Sequence, residues 1–217
     1  MCSSDLGEGA DLTANTVVCT IDGHARALLS AERPALNFLQ LLSGTATATR
    51  EVVRAVQGAS PNPKGCAVLD TRKTLPGLRQ AQKYAVRVAG GMNQRLALWD
   101  GILIKENHIA AAGGIRAVLA QAHALHARVS IQIEVESLAQ LKEALDAGAQ
   151  SVLLDNFDLP TMREAVAITA GRAVLEVSGG VTLSQLRDIA STGVDRVSMG
   201  TLTKDVRAVD FSMRLAP

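Results

Sequence analysis

Residues 129–154 read VSIQIEVESLAQLKEALDAGAQSVLL and contain one complete strand–helix–strand unit. Residues 129–135 alternate apolar and polar side chains, which is typical of a strand. Residues 138–147 have apolar positions at helical spacing, and Gly148 follows where helices often end in glycine. A second apolar run begins at residue 151. This order predicts two parallel strands joined by a right-handed helical crossover.

The same alternation continues on both sides of this unit. Further predicted strands are residues 66–69, 85–88, 101–104, 173–177 and 196–199, and further predicted helices are residues 30–56, 115–126, 161–169 and 183–192. Such alternation predicts an α/β fold with a parallel sheet, which is either closed into a barrel or open and doubly wound. No GxGxxG segment opens the first unit, which argues against a dinucleotide-binding fold. We therefore expect a barrel.

The first thirty residues have a different pattern. Residues 1–6 (MCSSDL) show no periodicity, and we expect that they are not part of the native fold. Residues 15–21 and 24–29 are similar to two strands joined by an Asp-Gly turn. Because two strands do not form a stable unit alone, they are interpreted as the remnant of another domain. We predict a domain remnant over residues 1–30 and a barrel over residues 31–217.

Composition and charge argue against several classes of protein. The 22 Lys and Arg residues nearly balance the 21 Asp and Glu residues, so no strong field attracts nucleic acid or an acidic membrane. Aromatic residues make up 2% of the chain, which is too few for base-stacking platforms. The three cysteines have no paired spacing, and no apolar stretch is long enough to cross a bilayer. We expect a cytoplasmic protein without a nucleic-acid or membrane partner.

Charged residues follow several predicted strands directly. They are Arg72, Lys73, Lys105, Glu134 and Asp155, with Arg95 near the start of the next strand. The carboxyl ends of parallel strands meet at one mouth of a barrel, where active sites lie, so we expect these side chains around one cavity. Any one of them could be a solvated loop residue. The set is harder to explain in that way, because Glu134 faces the interior and needs a partner or a metal.

Glycines follow the last two predicted strands, at Ser178-Gly179-Gly180 and at Gly200-Thr201. Barrels commonly bind a phosphate at this place, with backbone N–H groups as donors. Together with the cations and the two carboxylates, this predicts a site for a small phosphate-bearing polyanion with Mg²⁺. The sequence shows no Ser/His/Asp triad, Cys/His pair or HExxH helix that would indicate other chemistry.

Longer motifs carry a resemblance to a known family. They are ERPALN at 32–37, SGTAT at 43–47, DTRKTLPGLR at 70–79, LIKENHI at 103–109, LDN at 154–156 and LEVSGG at 175–180. In this order they resemble quinolinate phosphoribosyltransferases, from about residue 11 to residue 215. The resemblance implies an incomplete α/β barrel of the type II phosphoribosyltransferase kind after an N-terminal sandwich domain. It also implies a reaction of quinolinate with phosphoribosyl pyrophosphate and Mg²⁺ that yields nicotinate mononucleotide, pyrophosphate and CO₂ for NAD biosynthesis.

The resemblance also implies a role for individual residues. The cations that would hold the dicarboxylate and the pyrophosphate are Arg72, Lys73, Arg95 and Lys105. Glu134 and Asp155 would lie near the ribose and Mg²⁺, and with Lys73 and Lys105 they would be the catalytic residues. The 5′-phosphate loops would contain Ser178, Gly179 and Gly200. Arg33 would enter the site of a neighbouring subunit, which implies a homo-oligomer that is at least a dimer.

Two departures from the family pattern leave alternatives open. Gln94 stands where the family usually has histidine, and glutamine can donate a hydrogen bond but cannot carry charge. We expect Gln94 to position substrate rather than move a proton. Most of the sandwich domain is absent, so we expect weak substrate binding or abnormal assembly. A phosphoribosyltransferase for another heterocyclic acid, or an inactive binding or assembly protein, are the alternatives.

Overall fold

The structure is a computed structural model and describes residues 1–215. In chain order the strands are β1 (Cys2–Ser3), β2 (Thr20–Ile21), β3 (Ala67–Leu69), β4 (Gly101–Ile104), β5 (Ser130–Val135), β6 (Ser151–Asp155), β7 (Val174–Ser178) and β8 (Arg196–Ser198). The helices are α1 (Ala25–Val56), α2 (Arg79–Val88), α3 (Glu106–Ala112), α4 (Ile115–Ala124), α5 (Leu138–Asp146), α6 (Leu159–Thr169), α7 (Leu186–Ser191) and α8 (Thr201–Lys204), with a short 3₁₀ helix over Leu183–Gln185.

Strands β3 to β8 form a parallel sheet in the order β3-β8-β7-β6-β5-β4. Helices connect successive strands from β4 onward, which confirms the predicted α/β fold. The predicted strand at residues 85–88 is wrong, because these residues end α2. Lys83 and Val86 are buried there at helical spacing, on the face that α2 turns toward the interior. Beside β3, Met92 takes the strand position instead and pairs with Leu69 in parallel.

Hydrogen bonds inside the sheet show that it curves into an incomplete barrel. The main-chain N–H of Gln94 donates to Asp70, directly after β3, over 2.9 Å. The side chain of the same Gln94 donates to Gln132 on β5, also over 2.9 Å. In a flat sheet β3 and β5 would lie four strands, or about 19 Å, apart. One residue reaches both only because the sheet folds back on itself.

Successive side chains of each strand point alternately outward, toward the helices, and inward, toward the barrel interior. Side chains that point outward, such as Ile133, Val152 and Val177, are buried against the surrounding helices and form the apolar core. Each such side chain stabilises the fold by about 1.5–3 kcal/mol through removal of its apolar surface from water. Side chains that point inward include the buried polar residues Gln132 and Glu176. The barrel interior is therefore polar, and it carries the candidate site.

The predicted hairpin over residues 15–29 is wrong. Residues 25–29 begin α1, and Thr20–Ile21 pairs with Cys2–Ser3 in an antiparallel ribbon. Ser30, where the sequence predicts this helix to begin, lies inside α1, and its hydroxyl donates to the carbonyl of Arg26 over 2.8 Å. The predicted domain boundary after residue 30 falls inside this helix, and the domain limits remain a prediction.

The amino-terminal half of α1 has no buried residue, since the buried positions begin at Gly44. The carboxyl-terminal half packs on β3 and α2. No helix within residues 1–215 is both long enough and apolar enough to span a membrane.

Candidate active site

Lys105 and Glu134 form an ion pair at the barrel mouth. Lys105 follows β4 directly and Glu134 lies near the end of the neighbouring β5, so the two side chains meet between adjacent strands. The Lys105 Nζ lies 3.1 Å from Glu134 Oε2, and the side chains are 46% and 12% exposed, respectively. The inward-facing carboxylate thus has the cationic partner that the sequence led us to expect, and the ammonium remains accessible from solvent.

The LIKENHI motif turns the chain from β4 into α3 at this point. The main-chain N–H of Lys105 donates to His108 Nδ1 over 3.0 Å, and the N–H of His108 donates to the Lys105 carbonyl over 2.9 Å. These two bonds fix the backbone of Lys105 just before the helix begins. His108 is therefore engaged with the backbone, and the lysine side chain is held at the mouth.

Asp155 and the glycine loop lie together at the ends of β6 and β7. Asp155 is opposite Ser178 in the strand register. Gly179 has a φ of +94°, and a Cβ there would collide with Asn156 and approach Asp155 Oδ1 to 3.0 Å. Only glycine combines this backbone conformation with such close packing. The loop backbone after β7 is thereby held against the Asp155 carboxylate.

Lys73 and Gly200 form a similar pair at the ends of β3 and β8. A Cβ at Gly200 would lie 3.0 Å from the Cδ of Lys73. The Lys73 carbonyl accepts from the Thr203 hydroxyl over 2.7 Å, and the Lys73 N–H donates to the Thr71 hydroxyl over 3.0 Å. The backbone of Lys73 is fixed by these bonds, while its side chain is exposed next to the second glycine loop.

Arg95 is half-buried and donates from Nη1 to the Gly101 carbonyl over 3.0 Å. Burial lowers the pKa of its guanidinium, and the positive charge of Arg72 lowers that pKa further. Arginine nevertheless stays protonated in proteins. Arg72 itself is exposed, and the two neighbouring guanidinium groups form a positively charged place where an anion would be stabilised.

A layer of buried polar residues lies beneath the mouth, and sequence reasoning did not single out most of it. Asp70 and Lys83 form an ion pair in which the side chains are 0% and 1% exposed. Burial raises the pKa of Asp70 and lowers the pKa of Lys83, and in each case the charge of the partner opposes the shift. Asn93 Nδ2 also donates to Asp70, over 2.7 Å.

Glu176 completes this layer from β7. Its carboxylate accepts from the side-chain amides of Gln94 and Gln132. A period-two reading of LEVS places Glu176 on the inward face with Ser178, and this was the available signal. The pairing of Lys83 with Asp70 had no such signal, because α2 and β3 meet only in the folded chain.

Most of the predicted site residues lie at the mouth. They form neighbouring pairs, Lys105 with Glu134, Asp155 with Gly179, and Lys73 with Gly200. A cavity of about 1310 Å³ extends from the segment after β3, at residues 74–77, to the starts of the strands. Its lining includes Gln94, Arg95, Gln132 and the strand-start residues Gly101, Ser130, Ser151, Val174 and Arg196. The single shared cavity at the mouth stays a prediction.

Arg33 lies apart from the other predicted residues. It is exposed on the amino-terminal half of α1. Within residues 1–215 its side chain has no hydrogen bond or ion pair. The single chain does not bring Arg33 to the mouth.

Family models and solved structures give an independent comparison. The model for the quinolinate phosphoribosyl transferase C-terminal domain matches residues 45–214, and the model for its N-terminal domain matches residues 2–43. The chain is 44% identical over 207 residues to a probable nicotinate-nucleotide pyrophosphorylase [carboxylating] of Bacillus subtilis, covering 95% of this chain and 70% of the relative. The corresponding Mycobacterium leprae protein is 43% identical, with 96% of this chain and 72% of the relative covered.

The solved structures agree with the fold described above. The crystal structure of NadC from Streptococcus pyogenes has a TM-score of 0.92 at 40% identity, covering 99% of this chain and 74% of that one. The nicotinate-nucleotide pyrophosphorylase from Francisella tularensis has a TM-score of 0.91 at 42% identity, covering 97% and 73%. The barrel, the mouth residues and these matches lead to one conclusion: the chain belongs to the quinolinate phosphoribosyl transferase family.

Proposed function

We propose that this chain is a quinolinate phosphoribosyltransferase. It transfers the phosphoribosyl group of phosphoribosyl pyrophosphate to quinolinate and releases pyrophosphate and CO₂, which gives nicotinate mononucleotide for NAD biosynthesis. The observation that carries the proposal is the arrangement of the mouth, where the Lys105–Glu134 pair, Asp155 against Gly179, and Lys73 against Gly200 lie on successive strand ends. Relatives that this chain matches at 43–44% identity are named for this carboxylating pyrophosphorylase activity.

The carboxylates have a direct role in the proposed chemistry. When the ribose separates from pyrophosphate, positive charge develops on the ribose ring. Glu134 and Asp155 lie at neighbouring strand ends and would stabilise this charge. The chain needs no nucleophile for this step, because it aligns the two substrates and neutralises the charges that develop.

The cations act on the two anionic groups. Lys73 and Lys105 would stabilise the negative charge that builds on the departing pyrophosphate, and the Ser178-Gly179 loop and Gly200 would receive the 5′-phosphate. Arg72 and Arg95 would bind the carboxylates of quinolinate, which relieves the repulsion between the two guanidinium groups. Once the pyridine nitrogen carries the ribose, the ring is cationic. It stabilises the electron pair that the departing CO₂ leaves on the ring carbon, and that carbon then takes up a proton from solvent.

Mg²⁺ belongs to this proposal as a companion of the pyrophosphate. Within the described residues, no group of three or more His, Cys, Asp or Glu side chains could hold a metal ion. Glu134 and Asp155 fit the usual binding of Mg²⁺ through one or two carboxylates, with waters and substrate phosphates as the other ligands. When bound, the ion would neutralise charge on the leaving group.

Chelation of divalent cations should abolish turnover. We expect excess EDTA to reduce product formation to background, because the leaving group would then separate without its counterion, and excess Mg²⁺ to restore it. The measurement is release of pyrophosphate and CO₂ with and without the chelator. Unchanged turnover after complete removal of metal would contradict the Mg²⁺ part of the proposal.

We further propose that the active unit is a homodimer in which Arg33 completes the partner's site. The amino-terminal half of α1 is unburied and carries exposed Leu29 and Phe38 near Arg33, which supports contact with a second copy. The chain is also proposed to be cytoplasmic, which fits its three free cysteines.

Mixed dimers test the shared site. The variants Arg33→Ala and Lys105→Met should each be nearly inactive alone. When the two are coexpressed, about a quarter of the sites should combine a native Arg33 with a native Lys105 and recover that share of the activity. Rate measurements on the coexpressed and the singly expressed proteins would show whether Arg33 completes the partner's site. Stable mixed dimers without recovered activity would contradict a shared site.

The proposed function itself is tested by incubation with quinolinate and phosphoribosyl pyrophosphate. Stoichiometric CO₂, pyrophosphate and nicotinate mononucleotide are the expected products. Turnover with another heterocyclic acid but not with quinolinate would point to a different acceptor. Tight binding of both substrates without turnover would indicate an inactive binding protein.

A further inference from the structure

Glu176 is a buried carboxylate with an unusual set of partners. It is 0% exposed on the inward face of β7. Gln94 Nε2 lies 3.2 Å from both of its oxygens, and Gln132 Nε2 donates to Oε2 over 3.0 Å. Within residues 1–215 no Lys, Arg or His forms an ion pair with it. A buried carboxyl group whose hydrogen bonds all come from two carboxamides depends on those bonds, because a buried polar group without partners is costly.

Every polar atom of Gln94 is engaged inside the protein. Its main-chain N–H donates to Asp70 over 2.9 Å, and its carbonyl accepts from Lys83 Nζ over 2.8 Å. Its side-chain Oε1 accepts from the main-chain N–H of Arg95 over 2.7 Å, and its Nε2 faces Glu176 and Gln132. Gln94 therefore links the buried layer to Arg95.

The carboxylate determines which way this amide points. Carboxylate oxygens only accept hydrogen bonds, so Nε2 of Gln94 must face Glu176 and Oε1 must face the N–H of Arg95. If the amide were reversed, oxygen would face oxygen at Glu176, and N–H would face N–H at Arg95. One buried acceptor thus selects the orientation that holds the Arg95 backbone.

We propose that Glu176 is a positioning residue for Arg95. Through Gln94 it holds the 94–95 peptide, and it thereby sets the direction in which the Arg95 side chain leaves the polar layer. The effect on the reaction rests on the proposed function, in which Arg95 binds a carboxylate of quinolinate. Glu176 itself lies beneath the mouth and is not expected to contact substrate.

The variant Glu176→Gln tests the proposal because it keeps the shape of the side chain but replaces one of the two acceptor oxygens with an NH₂ donor. A carboxamide at 176 can present its NH₂ group to Gln94, and no orientation of Gln94 then satisfies residue 176 and Arg95 equally well. We expect the KM for quinolinate to rise about tenfold, with the KM for phosphoribosyl pyrophosphate changed less than about twofold. The matched control is Glu164→Gln, an exposed glutamate on α6, which should leave both values unchanged.

A double-mutant cycle separates positioning from a general loss of structure. If Glu176 acts through Arg95, Glu176→Gln should have almost no further effect on quinolinate affinity, measured by calorimetry, in an Arg95→Ala background. Equal effects in both backgrounds would overturn the proposal, as would equal increases of both KM values in the single variant.

Hydrogen exchange gives a measurement that does not depend on activity. In Glu176→Gln the Arg95 amide should exchange about tenfold faster, while the amides of Ile133 and Val152 on neighbouring strands keep their protection. If Glu176→Gln does not fold, Gln94→Met should produce the same selective change. Unchanged exchange of the Arg95 amide in a folded variant would overturn the positioning role of Glu176, even if the wild-type chain proves inactive. If the wild-type chain is inactive but the Arg95 amide exchanges faster as expected, only the proposed function would be contradicted.

Discussion

Replacement of Lys105 with methionine is expected to lower kcat/KM by roughly 10²- to 10³-fold, the usual effect of removing one preorganised donor from a developing anion. Lys105 is held by the LIKENHI turn, its ammonium lies 3.1 Å from Glu134, and nearly half of its side chain remains accessible. In the proposed reaction this ammonium stabilises the charge on pyrophosphate. Methionine keeps the unbranched, apolar part of the side chain and removes the ammonium group. Steady-state kinetics with both substrates measure the loss.

The matched control for this variant is Lys142→Met, which removes an exposed lysine on α5. It should change kcat/KM by less than about twofold, since an isolated surface charge contributes little. The double variant Lys105→Met with Glu134→Gln removes the unpaired carboxylate as well and should be at least as slow as the single variant, because Glu134 is itself proposed to stabilise charge on the ribose. If Lys105→Met kept kcat/KM within threefold of the wild type, the assignment of Lys105 to the leaving group would be wrong.

The replacement of Lys83 with methionine should have the largest effect on stability. It leaves Asp70 completely buried without its cation, and breaking a buried pair in this way lowers the free energy of unfolding by about 3–5 kcal/mol. Lys83 also donates to the Gln94 carbonyl, so the buried layer loses a second bond. Urea denaturation followed by circular dichroism measures the change.

A second substitution and the pH provide the checks on this prediction. Adding Asp70→Asn to Lys83→Met removes the uncompensated charge, keeps an acceptor for the Gln94 N–H and should recover much of the loss. Burial raises the pKa of Asp70, so a proton on its carboxyl favours the folded state. The destabilisation of Lys83→Met should accordingly be smaller at pH 5 than at pH 8. A loss below about 1 kcal/mol in the single variant would contradict the prediction.

The hydrophobic pattern was sufficient to predict a strand or a helix where one segment shows a clear period by itself. The alternation in residues 129–135 predicts β5, and the helical spacing of residues 138–147 predicts α5, which spans Leu138–Asp146. The hydrophobic pattern failed where a short apolar run fits both the period of a strand and the period of a helix. Residues 85–88 belong to α2, and residues 25–29 belong to α1, because longer helices with a buried face continue through them.

The mouth could be predicted because it follows from topology. Carboxyl ends of parallel strands lie on one side, so Lys105 and Glu134 had to lie close together once the strands were recognised. The cavity beside the polar layer could not be predicted in this way. It lies between residues 93–95 and β4, so it depends on how far the sheet closes.

The sequence alone was enough to assign the parallel α/β barrel, the family, and the residues at the strand ends, since each depends on short-range periodicity or on motifs that are contiguous in the chain. Only the tertiary structure decided which polar groups share the interior. Asp70 meets Lys83, and Gln94 meets Gln132 and Glu176, across separations of 13 to 82 residues. The physical reason is the curvature of the sheet, which brings distant strands within hydrogen-bond distance. The buried carboxyl groups are therefore bound by donors that lie far from them in the sequence.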